Sequence, residues 1–383
     1  MEKIVLLVSI DGFRHDYLGR HLAPTLEGLA AGGVRAARLV PSYPAVTFPN
    51  HHTLVTGLRP EHHGVVANHF YDPALNATFG GDRDALGDAR WWGGEPIWVT
   101  AERQGRRAMV LSWPGAEAPI GGGRPSRWSP FDGGLSYDAR VDTVLSWLAL
   151  PPAERPAFLT LYFDGVDNAG HTYGPDAPET ATAVADVDRA LARLMDGVRA
   201  LGLADRLDVV VASDHGMTAM SANRVVFLDD HVDLGGVVER AFWGEPTGLW
   251  PRPGRERALY AALRDAHVPH VRVVRREETD PALHYRASPR IPPVLLMADE
   301  GWTVTTRAAW ARRDSRAVWG NHGYDPRLAS MGGLLIASGP SFRQGVVAGP
   351  VENVHVYPLL THLLGLQAAP NDGDLNTVRD FLR

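Results

Sequence analysis

The chain has 383 residues, of which 45% are hydrophobic and 21% are charged, as in an ordinary folded protein. Its net charge of -6 excludes a global basic field, so we expect no stable nucleic-acid partner. The chain has no cysteine, which excludes disulfides and leaves His, Asp, Glu and hydroxyl groups as metal ligands. No stretch of about twenty apolar residues appears, so we predict no membrane span.

Short apolar runs alternate with segments of helical periodicity along the chain. The predicted core strands are Ile4–Ile10, Arg107–Trp113, Ala157–Phe163, Leu207–Ser213 and Leu334–Pro340. The predicted helices lie near Ala23–Gly32, Pro49–Thr56, Glu95–Arg103, Val141–Leu150, Pro178–Leu201 and Tyr357–Leu364. This alternation predicts an α/β fold with a mostly parallel central sheet that is covered by helices on both faces.

Two segments interrupt this regular pattern. From about 218 to 318, short β-like runs at Val225–Leu228, Val271–Arg275 and Val294–Met297 lie among Pro and Gly, which predicts an insertion with its own small sheet. The segment Gly80–Gly94 is polar and rich in Gly, so we predict a surface loop there. The whole chain, 1–383, is interpreted as a single catalytic domain.

Thr47 occupies a position that suits phosphate chemistry. Pro49 fits the first turn of a helix and Gly57 fits its end, so Thr47 is predicted to lie at the start of a helix. Helix N-termini attract phosphate, and a hydroxyl with a lowered pKa can attack phosphorus there. The alternative is that Thr47 only caps the helix.

Several predicted strands run directly into acids and histidines. In parallel sheets, ligands gather at the carboxyl ends of the strands, so we expect these side chains to form one site. The candidate metal ligands are Asp11, Asp167, His171, Asp214, His215 and His322. Carboxylates and imidazoles without thiolates favour Zn²⁺ over Mn²⁺ or Mg²⁺, and two metals about 4 Å apart could hold both oxygens of an in-line displacement at phosphorus.

Two details limit this prediction. Asp214 and His215 are neighbours, so both can ligate only if the strand ends before them and the chain turns, which Gly216 allows. A second histidine group lacks a carboxylate at a strand end and is predicted to serve in hydrogen bonding and packing around the Thr47 helix; its members are His51, His52, His62, His63 and His69. Asp164 is an additional acid near the site to which we assign no ligand role.

Motifs in a fixed order along nearly the whole chain carry a family resemblance. They are Ser9–Arg14, Thr47–His51, Leu54–Gly57, His63-Gly64, Asn68, Gly94–Trp98, Tyr162, Asp167, Gly170-His171, Gly174-Pro175, Ser213–Met217 and His322–Tyr324. In this combination the chain resembles the nucleotide pyrophosphatase/phosphodiesterase family of the alkaline phosphatase superfamily. The resemblance implies an alkaline phosphatase-like fold. Because the disulfides and extra domains of the eukaryotic extracellular members are missing, it looks like a compact bacterial-type member.

The resemblance also implies roles for individual residues. One zinc would be held by Asp167, His171 and His322, and a second zinc by Asp11, Thr47, Asp214 and His215. Thr47 would be the nucleophile and would pass through a covalent phospho-threonine, which water then cleaves with overall retention at phosphorus. Asn68 and the N–H groups of the Thr47 helix would stabilise the phosphate oxygens. The nucleoside pocket would be lined by Phe48, Phe131 and Tyr162.

Other functions stay open at this level. A phosphomonoesterase would need additional positive charge for a dianion, for which the sequence offers no matching Arg. Hydrolysis of phospholipid head groups or phosphonates would use the same metal core with other pocket residues, and a zinc-binding structural protein with an inactive site is the non-enzyme alternative. Bacterial family members are commonly exported to the periplasm or secreted. The run Ile4–Ile10 is interpreted as a strand and not as a signal peptide, so a cytoplasmic or trimmed chain is the other expectation.

Overall fold

A mixed central sheet of eight strands forms the centre of the fold in a computed structural model, which describes residues 3–312 and 319–383. In spatial order its strands are Val346–Ala348, Val34–Ala36, Leu335–Ser338, Leu207–Ala212, Ile4–Ile10, Phe158–Phe163, Ala108–Leu111 and Arg127–Ser129. Leu335–Ser338 is antiparallel to both of its neighbours, and the other neighbouring pairs are parallel. The predicted, mostly parallel sheet is confirmed.

The strand Ile4–Ile10 is buried along its whole length because helices cover both faces of the sheet. Its residues Val5 and Leu7 belong to one hydrophobic cluster, whereas Leu6 and Val8 belong to another. The first cluster includes residues of the helices Thr47–Thr56, Ile97–Arg103 and Val356–Leu364. The second includes residues of the helices Pro24–Ala31, Tyr137–Leu148 and Pro178–Ala200. These core helices were all predicted, with ends that differ by a few residues.

The remaining elements are shorter. The other α-helices are Pro60–His63, Arg83–Gly87, Gly165–Tyr173, Glu256–Asp265 and Arg307–Ala311. Short strands outside the central sheet and outside the four-stranded sheet described below are Leu39–Val40, Phe70–Asp72, Ala77–Phe79, Thr218–Ala219, Val225–Phe227, Thr303–Thr305, Gly320–Asn321 and Val351–Glu352. The 3-10 helices are His15–Arg20, Ala89–Trp91, Ile120–Gly122, Leu228–Asp230, Arg276–Glu278, Pro281–Leu283, Ala329–Met331, Asn353–His355 and Leu375–Phe381. Among the described residues, no helix is both long and apolar enough to cross a membrane.

A second, antiparallel sheet lies within the predicted insertion. Its four strands are, in spatial order, Val238–Phe242, Thr247–Pro251, Val294–Ala298 and Val271–Arg275. It has its own hydrophobic cluster, which contains Leu249, Leu263 and Leu296. The predicted strand at Val225 instead pairs with Thr303–Thr305. Residues 313–318 of the predicted insertion lie outside the described residues.

Arg290 fixes this second sheet against the rest of the chain. Its guanidinium donates to the Asp72 carboxylate at 2.6 Å and to the carbonyls of Gly64 and Trp91 at 3.0 and 2.8 Å. Nearby, the Tyr285 hydroxyl donates to the backbone carbonyl of Val66 at 2.9 Å. Both contacts reach the segment that leads into Asn68, so the insertion is positioned beside the candidate site.

The prediction of a surface loop at Gly80–Gly94 is wrong. The segment contains the helix Arg83–Gly87, and both Trp91 and Trp92 are buried. Their indole rings pack against the ring of Phe79 at centroid distances of 5.6 and 5.7 Å. The polar residues of this segment face outward, whereas the two large indole rings face the interior, and their burial stabilises the segment.

Candidate active site

Three neighbouring strands bring their acids to one edge of the sheet. The strand Ile4–Ile10 lies between Phe158–Phe163 and Leu207–Ala212 and is parallel to both. Asp11 follows the first of these strands, and Asp214 follows the third. Asp167 lies in the first turn of a helix that begins immediately after Phe158–Phe163. The carboxyl ends of the strands therefore meet where the sequence predicts the site.

Glycines permit the close approach of these segments. Gly12 has a positive φ of 64°, and a Cβ there would lie 2.8 Å from the Cα of Asp167. Its N–H donates to Asp214 at 3.2 Å. A Cβ on Gly216 would lie 2.1 Å from the carbonyl oxygen of Ser330, so only glycine fits there.

Asp214 and His215 both point into the site. The strand before them ends at Ala212, which satisfies the condition that the sequence sets for this pair. His215 Nε2 lies 3.0 Å from Asp214 Oδ2 and 3.4 Å from Asp11 Oδ1. His215 Nδ1 lies 2.8 Å from the carbonyl oxygen of Gly216, so Nδ1 carries the proton and Nε2 presents a lone pair to the carboxylates.

Thr47 joins Asp11, Asp214 and His215 in a first group of possible metal ligands. Its Oγ1 lies 3.3 Å from His215 Nε2. The helix begins at Thr47, two residues earlier than predicted, with Val46 as the N-cap and no side-chain cap hydrogen bond. Its end at Gly57, with a φ of 66°, agrees with the prediction. The alternative role of Thr47 as a helix cap is therefore wrong, and its hydroxyl faces the cluster.

A second group of possible metal ligands, which consists of Asp167, His171 and His322, lies beside the first. Asp167 and His171 are four residues apart on one helix, with Asp167 Oδ1 and His171 Nε2 at 3.5 Å. His322 Nε2 lies 3.7 Å from Asp167 Oδ1 and 3.1 Å from His171 Nε2. The Nδ1 atoms of both histidines donate to carbonyls, those of Gly320 and Ala45, each at 2.8 Å. Two Nε2 lone pairs thus face one another, and either a proton or a metal ion between them would relieve their repulsion.

The carboxylates give the same indication. Asp11 Oδ1, Asp167 Oδ1 and Asp214 Oδ2 are buried and have no hydrogen-bond partner among the described residues. Burial, together with the Asp214 charge, raises the pKa of Asp11 well above its usual range, and burial likewise raises the pKa of Asp167. A site that gathers unpaired carboxylate oxygens and imidazole lone pairs is suited to metal ions.

His51 is the one member of the second histidine group that reaches the cluster. Possible ligand atoms of His51, Asp11 and Asp214 lie within 4.8 Å of one another. However, His51 Nδ1 donates to the Thr47 carbonyl at 2.9 Å, and Nε2 lies 2.8 Å from Ser9 Oγ. Both ring nitrogens therefore have protein partners, and the ring holds the helix against the strand Ile4–Ile10.

The other members of that group are dispersed. His52 Nε2 donates to the Gly93 carbonyl at 2.7 Å, and His63 Nε2 lies 3.1 Å from Thr53 Oγ1. His62 lies 2.7 Å from Asp372, and His69 is exposed. The three contacts are hydrogen bonds of the kind that we predict for this group.

Asn68 approaches the start of the Thr47 helix. Its Oδ1 accepts from the Phe48 N–H at 2.8 Å, which leaves the side-chain NH₂ as a donor. The Phe48 N–H is thereby occupied, and Pro49 has no N–H. The predicted set of helix N–H donors is therefore smaller than the sequence suggested. The Phe48 ring itself packs edge-on against Phe79 at 5.6 Å.

Tyr162 and Phe131 lie together beside Asp11. The Tyr162 hydroxyl donates to Asp11 Oδ2 at 2.6 Å, so it pairs the second oxygen of that carboxylate. The rings of Tyr162 and Phe131 make an edge contact at 5.6 Å, and Phe131 is 43% exposed. An exposed ring over a buried one provides an apolar surface next to the carboxylate cluster.

Arg140 supports this aromatic surface, although no motif in the sequence indicates it. Its buried guanidinium lies 5.3 Å from the Phe131 ring and donates to the Asp132 and Leu135 carbonyls that follow Phe131. It also donates to Asp164 at 2.8 Å. Asp164, the additional acid near the site, therefore pairs with Arg140 and needs no role as a metal ligand. Three of its hydrogen-bond acceptors are backbone carbonyls, which leave no signal in a sequence.

This arrangement is typical of a metal-dependent hydrolase. A hydroxyl at a helix start, a cluster of carboxylates and imidazoles, and an α/β sheet whose strand ends carry them are the parts that such an enzyme requires.

Comparisons with known proteins narrow this class. The family described as type I phosphodiesterase/nucleotide pyrophosphatase matches residues 5–325, and the chain belongs to this family of hydrolases. It is 36% identical to an uncharacterized pyrophosphatase/phosphodiesterase of Schizosaccharomyces pombe, over 97% of this chain and 79% of that protein. It is 34% identical to human ectonucleotide pyrophosphatase/phosphodiesterase family member 5, over 99% of this chain and 78% of that protein.

Solved structures agree with this assignment. The structure of murine family member 5, an inactive form in complex with AMP, superimposes with a TM-score of 0.92 at 33% identity and with full coverage of both chains. Human family member 5 gives a TM-score of 0.93 at 34% identity, also with full coverage of both chains. The predicted alkaline phosphatase-like fold and the predicted family are confirmed.

Proposed function

We propose that this chain hydrolyses phosphodiester and phosphoanhydride bonds of nucleotides and releases a nucleoside 5′-monophosphate, with Thr47 as the nucleophile. The observation that carries the proposal is the Thr47 hydroxyl, 3.3 Å from His215 Nε2 at the edge of the carboxylate and imidazole cluster. The AMP complex of the murine relative supports a nucleotide as the substrate.

We further propose that the cluster holds two zinc ions. Asp167, His171 and His322 would hold one, and the second would be held by Asp11, Thr47, Asp214 and His215. The lone pairs that face one another and the unpaired carboxylate oxygens support this division, and nitrogen and oxygen donors without thiolate suit zinc. Bound metal ions would lower the pKa of the Thr47 hydroxyl and neutralise charge on the phosphoryl oxygens.

The residues of the chain then act in two steps. The Thr47 oxygen attacks phosphorus, a phospho-threonine ester forms, and the bond to the leaving oxygen breaks; the proton that Thr47 gives up is balanced by the proton that the leaving oxygen takes up. Water cleaves the ester in the second step, so two inversions give overall retention. The free NH₂ group of Asn68 donates to a non-bridging phosphate oxygen, since its carbonyl oxygen is held by Phe48 N–H.

An organic group on the phosphate would bind on the aromatic surface of Phe131 and Tyr162. Because the Tyr162 hydroxyl is paired with Asp11, this surface offers apolar contact and not additional positive charge. Such a surface suits the nucleoside of a diester better than the charge of a dianionic monoester.

The test compares kcat/KM for bis(p-nitrophenyl) phosphate and p-nitrophenyl phosphate with zinc supplied. We expect a strong preference for the diester. Thr47→Ala should lose turnover while it keeps its zinc, and Thr47→Ser, which retains a hydroxyl, should keep part of the activity. A preference for the monoester would show that the pocket is assigned wrongly, and near-normal turnover by Thr47→Ala would exclude the covalent mechanism.

A further inference from the structure

A cavity of about 440 Å³ separates the metal-ligand cluster from the inserted sheet. Its lining includes Asn68, His171 and His322 and also the segment from Ala241 to Pro246 at the end of an inserted strand. A second cavity of about 490 Å³ adjoins it and shares His171, Trp243, Gly244 and Asn321. Trp243 thus borders both spaces.

The position of this cavity follows from in-line chemistry. Entering and leaving oxygens lie on opposite sides of phosphorus during an in-line displacement. The entering oxygen belongs to Thr47, which lies with Asp11 and His215. The leaving oxygen therefore lies toward His171 and His322, and these two residues line the cavity. The aromatic surface of Phe131 and Tyr162 lies instead beside Asp11, on the side of the first group.

The walls of the cavity are mainly apolar and aromatic. Phe70, Phe242, Trp243 and Tyr285 contribute rings, and no Lys or Arg is present among the described residues that line this space. The acid on this wall, Glu245, is buried, and burial raises the pKa of its carboxyl group well above the usual range. Inorganic pyrophosphate would need cationic partners, which the cavity beside Asn68 does not offer.

We infer that this cavity binds the leaving group of the substrate and favours an uncharged organic group with an aromatic surface over inorganic pyrophosphate. The inference rests on the proposed function, in which Thr47 retains the nucleoside 5′-phosphoryl group. A dinucleoside monophosphate supplies such a leaving group, because its second nucleoside departs as an uncharged alcohol that can stack on Trp243.

The test uses two substrates that transfer the same group to Thr47. ATP and adenylyl-(3′→5′)-adenosine both donate an adenosine 5′-phosphoryl group, but they release pyrophosphate and adenosine, respectively. Trp243→Ala should lower kcat/KM for the dinucleoside by about tenfold and for ATP by less than about twofold, because only the former loses a stacking partner. Trp302→Ala is the matched control: Trp302 also lies in the insertion, stacks on His270 at 3.7 Å and borders neither cavity.

A variant at an exposed residue tests the same inference without changing the packing of the interior. His69 is exposed and lines the cavity, so His69→Lys adds a cation without disturbing the interior and should shift the kcat/KM ratio toward ATP. Arg312→Ala tests whether the guanidinium of Arg312, which lines the adjoining cavity, already binds pyrophosphate. We expect the ratio of kcat/KM for ATP to that for the dinucleoside to stay unchanged.

The outcomes separate the two proposals. An equal loss on both substrates in folded Trp243→Ala, or no loss on either, overturns the cavity assignment. If Trp243→Ala does not fold, an unchanged ratio in His69→Lys overturns it instead. A selective loss of ATP turnover in Arg312→Ala would also contradict it. If the wild-type protein cleaves neither nucleotide nor bis(p-nitrophenyl) phosphate, it is the proposed function that fails.

Discussion

Replacing Arg140 with methionine tests how the aromatic surface of the site is held. Methionine keeps much of the apolar stem but removes the guanidinium, which makes hydrogen bonds to Asp164, to the Tyr162 carbonyl and to two carbonyls of the loop after Phe131. Arg140 is only 1% exposed, and the Asp164 side chain is 20% exposed, so little water can replace the lost donor.

The expected cost is about 3 kcal/mol of unfolding free energy. Breaking a buried ion pair by removing one partner costs about 3–5 kcal/mol, and the partial exposure of Asp164 places this case at the lower end. Urea unfolding of the zinc-loaded protein measures the loss. In a double-mutant cycle with Asp164→Asn, the two changes should couple by about 2 kcal/mol because the residues share one hydrogen bond.

The same change should act selectively on catalysis. Without Arg140, the loop that carries Phe131 loses two anchors, so KM for a nucleotide ester should rise severalfold. For methyl p-nitrophenyl phosphate, whose methyl group is too small to stack, kcat/KM should stay within about twofold. A stability loss below about 1 kcal/mol, or an equal loss of activity on both substrates, would refute this reasoning.

Two further predictions concern the metal cluster and the buried histidines. His322→Ala should lower the zinc content from two ions to one per chain, measured by atomic emission; a content of two would contradict the ligand assignment. Burial lowers the pKa of His52 to about 4, and its Nδ1 has no partner for an added proton. The unfolded chain therefore binds more protons between pH 4 and 6.5, and the stability that His52 contributes falls as the pH drops through this window. From pH 7 to pH 5 the wild-type protein should lose about 2 kcal/mol more than His52→Gln in urea unfolding; equal losses would contradict the assigned shift.

The parts of the fold that follow local patterns could be predicted. Fully apolar runs such as Ile4–Ile10 mark buried parallel strands, and the acids that follow them mark the edge of the sheet where ligands gather. Gly57 marked the end of the Thr47 helix because glycine adopts a positive φ without strain. The candidate metal ligands could be predicted for the same reason, since each lies next to a recognisable strand end or motif.

The features that were missed depend on contacts between distant segments. Trp91 and Trp92 lie in a polar, Gly-rich segment, and only their packing against Phe79 shows that they are buried. Arg140 donates mainly to backbone carbonyls, which every sequence contains. The number of free N–H groups at the start of the Thr47 helix was overestimated, because the hydrogen bond from Phe48 N–H to Asn68 joins residues that are twenty positions apart.

The proposed covalent role of Thr47 is tested most directly by trapping the expected intermediate. The enzyme is mixed with a nucleotide diester, quenched in acid during turnover and digested, and the peptide that contains Thr47 is analysed by mass spectrometry. We expect this peptide to carry one nucleotidyl group on Thr47 that disappears once the substrate is exhausted. Full turnover with an unmodified peptide at every quench time, together with inversion at phosphorus in a chiral phosphorothioate diester, would show that water attacks directly and that Thr47 is not the nucleophile.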